Sequence, residues 1–285
     1  MKGIILAAGK GTRLYPATIP VCKPLITVYD KPLIYYPLSL LIMAGIKDVM
    51  IIVPPGDMEP FIRLLDDGEE LGINIYYKEQ KVQRGIADAF LVAKRFIGND
   101  TVCLALGDNI FYSDHIGKML REARDGEKGA SVFEYYVDDP RPFGVVEFDK
   151  DGNAVSIEEK PEHPKSNYII PGLYFYDNQV VEIASNLKPS ARGELEITDV
   201  NIEYMRRGQL RVVPMDSSVE WMDAGNCDSL LEAANRIKTL QKRTGVNIGC
   251  LEECALHQGF ITKEQAHCQG ELLKKTNYGK YLLKL

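Results

Sequence analysis

The chain of 285 residues carries 34 lysines and arginines against 40 aspartates and glutamates, a formal net charge of -6. With 45% hydrophobic and 26% charged residues it has ordinary globular composition and enough apolar material for a large core. The acidic balance gives no electrostatic footprint for nucleic acid, so a phosphate ligand requires a locally basic pocket.

The pattern along the chain begins with a short apolar run, residues 2–6, that ends in a glycine-rich turn. Residues 33–45 read as a helix, 48–53 as a buried strand, 58–65 as a helix, 73–78 as a strand, 85–96 as a helix and 101–106 as a strand. Apolar strands separated by helices predict parallel βαβ units and an α/β sheet covered on both faces. After residue 128 the pattern changes to strands at 130–137, 144–148, 155–159 and 169–176, with Asp151-Gly152-Asn153 as a hairpin turn. Helices near 178–186 and 197–207, a strand at 209–214 and a segment at 220–223 complete the core. The remainder is helical, with one long helix to about Thr244. The longest apolar run, residues 33–46, contains Pro37 and Ser39 and falls short of the roughly 18–20 residues that span a bilayer. The run at residues 4–8 is too short for a signal-peptide core, which points to a soluble cytoplasmic chain with reduced cysteines.

Gly9-Lys10-Gly11-Thr12-Arg13 directly follows the first predicted strand. Glycines there allow backbone N–H groups close to a phosphate, and Lys10 and Arg13 add positive charge. The spacing is neither that of a Walker A loop nor of G-x-G-x-x-G, since Leu14 stands where the third glycine belongs. Cys250, Cys254 and His257 have helical spacing; a zinc site is conceivable, but the spacing is better read as the buried stripe of an amphipathic helix.

Taken together, the longer segments are more specific. Residues 4–16, Lys23-Pro24-Leu25, Gly107-Asp108-Asn109-Ile110-Phe111-Tyr112, Phe143-Gly144-Val145-Val146-Glu147, Glu158-Glu159-Lys160-Pro161 and residues 187–199 resemble the sugar nucleotidylyltransferase family over nearly the whole chain. The resemblance implies a Rossmann-like three-layer α/β/α nucleotidyltransferase fold with a mixed central sheet. A catalytic core would span 1–225 and a helical C-terminal region 226–285. It implies transfer of a nucleotidyl group from dTTP to glucose 1-phosphate with Mg²⁺, in a homotetramer, with UTP as the alternative nucleotide. A nucleotide-binding regulatory protein with a dead catalytic site is the rival of a different class.

By the same resemblance, Leu6, Ala7, Ala8, Gly9, Gly11, Thr12 and Arg13 would hold the nucleotide, while Gln80 and Gly85 would read the base. Arg13 and Lys23 would be catalytic, and Asp108 and Asp223 would hold Mg²⁺, with Asp108 also meeting the nucleotide. Gly144, Glu159 and Tyr174 would line the sugar pocket, and Lys160 and Arg192 would grip the sugar phosphate. The residue types fit such a reaction. Two mutually repelling phosphates need cations between them, Mg²⁺ uses one or two carboxylates plus substrate phosphates, and an ionised phosphate nucleophile needs no general base.

The chain departs from the family in places. The family loop Gly-Gly-Ser-Gly-Thr-Arg is Ala8-Gly9-Lys10-Gly11-Thr12-Arg13 here, a variant shared with uridylyltransferases of the superfamily. The segment after Tyr112 is Ser113-Asp114-His115 rather than Gly-His, which speaks against feedback by a deoxythymidine-sugar product.

Overall fold

The opening apolar run forms β1 (Lys2–Leu6) in the computed structural model, which describes residues 1–126 and 128–285. Two 3-10 turns, Thr12–Leu14 and Lys23–Leu25, and a small hairpin of β2 (Thr27–Val28) and β3 (Lys31–Pro32) lead into α1 (Tyr35–Met43). Seven of the nine residues of α1 are buried, as an almost wholly apolar helix requires. The alternation continues through β4 (Asp48–Val53), α2 (Met58–Leu65) and β5 (Asn74–Glu79). It then passes through α3 (Asp88–Val92) and α4 (Lys94–Ile97) to β6 (Val102–Leu106). These four strands are parallel, in the order β6-β1-β4-β5. Alternate residues sort by face: Ile5, Ile51 and Cys103 enter one buried cluster, Ile4, Ile52 and Leu104 another. Period-two strands covered on both faces behave in this way.

The second half contains β7 (Asn109–Tyr112), α5 (Ile116–Arg124), β8 (Ala130–Tyr136), β9 (Gly144–Phe148) and β10 (Ala154–Glu159). It continues with β11 (Tyr168–Ile169), β12 (Leu173–Tyr176), α6 (Gln179–Asn186), α7 (Ile197–Arg206), β13 (Leu210–Pro214) and β14 (Glu220–Asp223). β12 lies antiparallel between β6 and β8, and β13 runs parallel to β8, so the central sheet is mixed. β8 serves two groups of strands. Ala130–Val132 pair with β12, whereas Tyr135 and Tyr136 pair with β11, which leads to β9 and β10.

Three local expectations change. The single strand at 169–176 is two strands, because Pro171 has no N–H to donate and Gly172 N–H turns to the side chain of Asn109 at 3.1 Å. The helix expected at 85–96 starts only at Asp88 and is interrupted at Ala93. Gly85 sits at φ 99°, outside any helix, where the chain passes so close to Leu195 that a Cβ would lie 2.5 Å from its carbonyl oxygen. β7 is an additional strand whose antiparallel partner, β14, lies more than a hundred residues downstream.

The long predicted helix is α8 (Cys227–Thr244), opened by an Asn226–Ser229 capping box and closed by Gly245. Its Ala233, Ile237 and Leu240 pack with Val28, Tyr36 and Ile110. α9 (Leu251–His257), α10 (Lys263–Leu272) and α11 (Asn277–Leu282) follow. Leu251, Ala255 and Ala266 join the cluster of Ile5 and Ile51, so the C-terminal helices share apolar cores with the sheet. Cys250 is buried just before α9 while His257 is exposed. No helix among the described residues is long and apolar enough to cross a membrane.

Candidate active site

The carboxyl ends of the parallel strands β1 and β6 open into a cavity of about 340 Å³. In open α/β sheets this is where ligands bind. The loop after β1 forms one wall. Ala7 and Ala8 are buried and fix the loop to the sheet, Ala7 N–H donating to Ile52 O at 2.8 Å. Gly11 takes the left-handed conformation at φ 60°, and its carbonyl accepts from Thr18 Oγ at 2.7 Å. Leu14 is buried and anchors the turn, leaving Gly9, Thr12 and Arg13 exposed toward the cavity.

Lys23 sits in the second 3-10 turn and is only 8% exposed. Its ammonium donates to Asp108 Oδ2 at 2.6 Å. Burying a lysine next to a paired carboxylate aims its charge at one spot. Asp108 stands two residues past the end of β6, after Gly107, and its other oxygen accepts from Asn109 Nδ2 at 3.0 Å.

Asp223 reaches the same place through the β7–β14 pair, which sets it opposite Asn109. The pairing extends one residue further, with Ala224 N–H donating to Asp108 O at 3.0 Å. Burial pushes the Asp223 carboxyl up to about 6, and the Asp108 charge pushes it in the same direction, against the opposing pull of Lys23 and Arg13. Gly225 beside it has no room for a side chain: a Cβ would lie 2.4 Å from Asp223 Oδ2.

The far wall belongs to the second half of the chain. Gly144 begins β9, and a Cβ there would meet Thr198 Oγ1 at 2.9 Å. Glu159 ends β10, with one oxygen accepting from the Thr198 hydroxyl and the other from Arg192 Nη2 at 3.2 Å. Lys160 turns out of β10 at φ 45°, a conformation uncommon for a residue with a Cβ, and its N–H is held by Phe143 O at 3.0 Å. Its ammonium lies 3.4 Å from Glu159. Tyr174 on β12 is buried, and burial raises its phenol, with Glu159 and Asp108 adding to the effect.

Eleven of the residues anticipated from the sequence line this one cavity: Gly9, Gly11, Thr12, Arg13, Lys23, Asp108, Gly144, Glu159, Lys160, Tyr174 and Asp223. Leu6, Ala7 and Ala8 lie behind it as the end of β1 and the root of the loop. Gln80 and Gly85 are not among its lining residues; Ile86, next to Gly85, lines it. Arg192 also stands outside the wall, held by Glu196 at 2.8 Å and by Glu159.

Other lining residues were not anticipated. Asn109 is 5% exposed and ties three segments together, since its Oδ1 accepts from Trp221 Nε1 at 2.8 Å and from Gly172 N–H. Thr198 and Asn201 come from α7, and Asn201 accepts from the Tyr176 hydroxyl at 2.6 Å. Trp221 was visible as the single tryptophan of the chain, but nothing local linked it to Asn109.

Residues 2–239 match the family described as nucleotidyl transferase. The chain is 53% identical over 285 residues to a glucose-1-phosphate thymidylyltransferase of Mycolicibacterium smegmatis, covering 100% of this chain and 99% of that one. It is 52% identical, with the same coverage, to a protein of that name from Neisseria gonorrhoeae. Among solved structures it is similar to a Bacillus anthracis protein assigned as a glucose-1-phosphate thymidylyltransferase and crystallised with a sucrose. That match has a TM-score of 0.77 and 42% identity, covering 83% of this chain and 94% of the other. A UDP-glucose pyrophosphorylase complexed with UDP-glucose is more distant, with a TM-score of 0.72 and 25% identity over 84% of this chain and 98% of the other.

Proposed function

The chain belongs to the nucleotidyl transferase family, and from that premise we propose that it transfers a thymidylyl group from dTTP to glucose 1-phosphate, giving dTDP-glucose and pyrophosphate. The observation that carries this reading is the convergence of Arg13, Lys23 and Lys160 with Asp108 and Asp223 on one cavity. Three cations suit a triphosphate and a sugar phosphate that must meet, and two carboxylates suit a divalent cation.

A phosphate oxygen of glucose 1-phosphate attacks the α-phosphorus of dTTP. The new O–P bond forms as the bond to the departing pyrophosphate breaks. The nucleophile is already ionised, so no side chain has to remove a proton. Catalysis is then alignment plus neutralisation of charge. The loop of Gly9, Gly11 and Thr12 holds the triphosphate, and Arg13 draws its charge toward the sheet. Lys23, buried and directed at the cavity, meets the charge that builds around the transferred phosphorus. Lys160 receives the sugar phosphate while Gly144, Glu159 and Tyr174 receive the hexose. Arg192 steadies Glu159 from behind, so its effect on the sugar phosphate runs partly through that carboxylate.

Asp108 and Asp223 fit Mg²⁺, which takes oxygen ligands and uses few protein carboxylates when phosphates are present. Asp223 held near 6 beside Asp108 is a pair that a divalent cation would relieve. When bound, the metal supplies charge neutralisation to the phosphates. The dead-protein reading is disfavoured because the cations and carboxylates meet in one place. UTP remains the runner-up nucleotide, on the Ala8-Gly9-Lys10 loop variant. A cytoplasmic homotetramer that serves dTDP-rhamnose and polysaccharide biosynthesis completes the proposal and rests on resemblance alone. A pyrophosphate-release screen over nucleoside triphosphates and sugar 1-phosphates tests it: dTTP with glucose 1-phosphate should give the highest kcat/KM, and release with no pair would refute it.

A further inference from the structure

Gln80 follows β5 and is 3% exposed. Its amide faces Asp88, which is 1% exposed in the first turn of α3. Gln80 Nε2 donates to Asp88 Oδ2 at 2.9 Å, and Arg84 Nη2 donates to Asp88 Oδ1 at 2.7 Å. The turn at Gly85 brings these groups together. An amide has two ends of opposite polarity, since the oxygen accepts and the nitrogen donates, whereas a carboxylate only accepts. Asp88 therefore holds Gln80 one way round, with its nitrogen inward.

We propose that Asp88 is a positioning residue that fixes the polarity of Gln80 and thereby selects thymine or uracil over cytosine. The inference rests on the reading that Gln80 faces the base. Gln80 Oε1 accepts no hydrogen bond among the described residues, so it and the second N–H are left for a ligand. Thymine and uracil present an N3–H donor next to the O4 acceptor, which matches an oxygen beside an N–H. Cytosine presents an N3 acceptor next to an amino donor, which opposes both. To pair with cytosine the amide must turn over, and its oxygen would then face the Asp88 carboxylate in a buried site. Buried groups left unpaired in this way are costly. The 5-methyl group plays no part, so Asp88 separates thymine and uracil from cytosine but not from each other.

The test is kcat/KM for dTTP, dUTP and dCTP with glucose 1-phosphate in the wild type, Asp88→Asn, Asp88→Ser and Gln80→Leu. The wild type should prefer dTTP to dCTP on the order of a hundredfold or more. Asn or Ser at position 88 can either accept or donate, so both Gln80 orientations become available, and the dTTP/dCTP ratio should fall about tenfold. The fall should come from KM, rising for dTTP and dropping for dCTP, with kcat for dTTP nearly constant and the dTTP/dUTP ratio unmoved. A merely structural role would lower all three substrates alike. The ratio is internal to each sample, so partial unfolding cancels, and Asp88→Ser carries the test if Asp88→Asn does not fold. An unchanged ratio in both position-88 variants, with a reduced one in Gln80→Leu, overturns the Asp88 assignment. An unchanged ratio in Gln80→Leu overturns the base-reading role of Gln80 itself.

Discussion

Asp223→Asn should cost activity and add stability. Asp223 has its carboxyl raised from 3.8 to about 6, first by burial and then by Asp108. Keeping it ionised above pH 6 therefore costs the folded protein about 3 kcal/mol relative to the unfolded chain. The direction follows from proton counting. Below about pH 4 both states hold the proton and nothing is lost. Between about 4 and 6 the unfolded chain releases it first, so stability falls as pH rises; above 6 the full penalty applies. Asparagine is nearly the same size and carries no charge. In EDTA and without nucleotide, the variant should match the wild type near pH 4 and exceed it by about 2–3 kcal/mol at pH 8, or about 3–5 °C in Tm for a chain of this length. Turnover should fall by orders of magnitude, because one of the two carboxylates proposed to hold the divalent cation is gone. Urea unfolding at both pH values, with pyrophosphate release in parallel, checks this trade of stability for function. A variant no more stable than the wild type at pH 8 would refute the assignment of a strained Asp108–Asp223 pair.

Lys23→Ala should lower kcat and kcat/KM together, because the role proposed for Lys23 is on charge that develops in the transition state; a raised KM with kcat intact would reassign it to ground-state binding. Gly225→Ala places a Cβ 2.4 Å from Asp223 Oδ2, so the carboxylate must move. Activity should drop about 10- to 100-fold with folding retained by circular dichroism, since a misplacement near 1 Å has that effect; an alanine variant with full turnover would show that Asp223 tolerates displacement. With dTTP and UTP competing at equal concentration, dTTP should win by roughly 10- to 100-fold on the 5-methyl group alone, the 2′-hydroxyl of UTP being the second difference, and a mixture dominated by UDP-glucose would move the assignment to a uridylyltransferase. Product feedback should be weak, because Asp114, exposed and accepting from Tyr112 Oη at 3.0 Å, sets a carboxylate in the stretch where the family resemblance would put a second nucleotide; strong inhibition by dTDP-rhamnose, not competitive with dTTP, would contradict this.

Legibility in the sequence followed distance along the chain. Gly9 to Arg13 are consecutive and sit after an apolar strand, so both the turn and its charges could be read directly. β1, β4 and β6 announced themselves as apolar runs because both of their faces are covered, whereas β5 at the edge keeps alternate residues exposed. Asn109, Thr198 and Asn201 carried no such mark. Asn109 matters because β14 arrives from far downstream to pair with β7 and bring Trp221 onto it. Thr198 matters because α7 delivers its hydroxyl to Glu159, 39 residues earlier in the chain. Asp88 lies only eight residues from Gln80, yet a glycine turn rather than a helix joins them, so no periodicity links the two.

The two halves of the site depend on one shared register. β6 leads through Gly107 to Asp108 and pairs with β1 on one side, placing Leu106 beside Leu6 and the loop of Gly9 to Arg13. On its other side it pairs with β12, with Leu104 opposite Tyr174 and Ala105 opposite Leu173. Tyr174 therefore faces the same side of the sheet as Leu104, while Leu173 and Phe175 enter the opposite cluster. A slip of one residue between β6 and β12 would exchange those faces and turn Tyr174 away from the cavity. The short break at Pro171-Gly172 resists such a slip, because Gly172 N–H is pinned to Asn109 just after β6 and Leu106 N–H donates to Gly172 O at 2.9 Å. The interruption that divides the expected 169–176 strand is thus the device that aligns the Tyr174 wall of the cavity with the wall formed by the loop after β1.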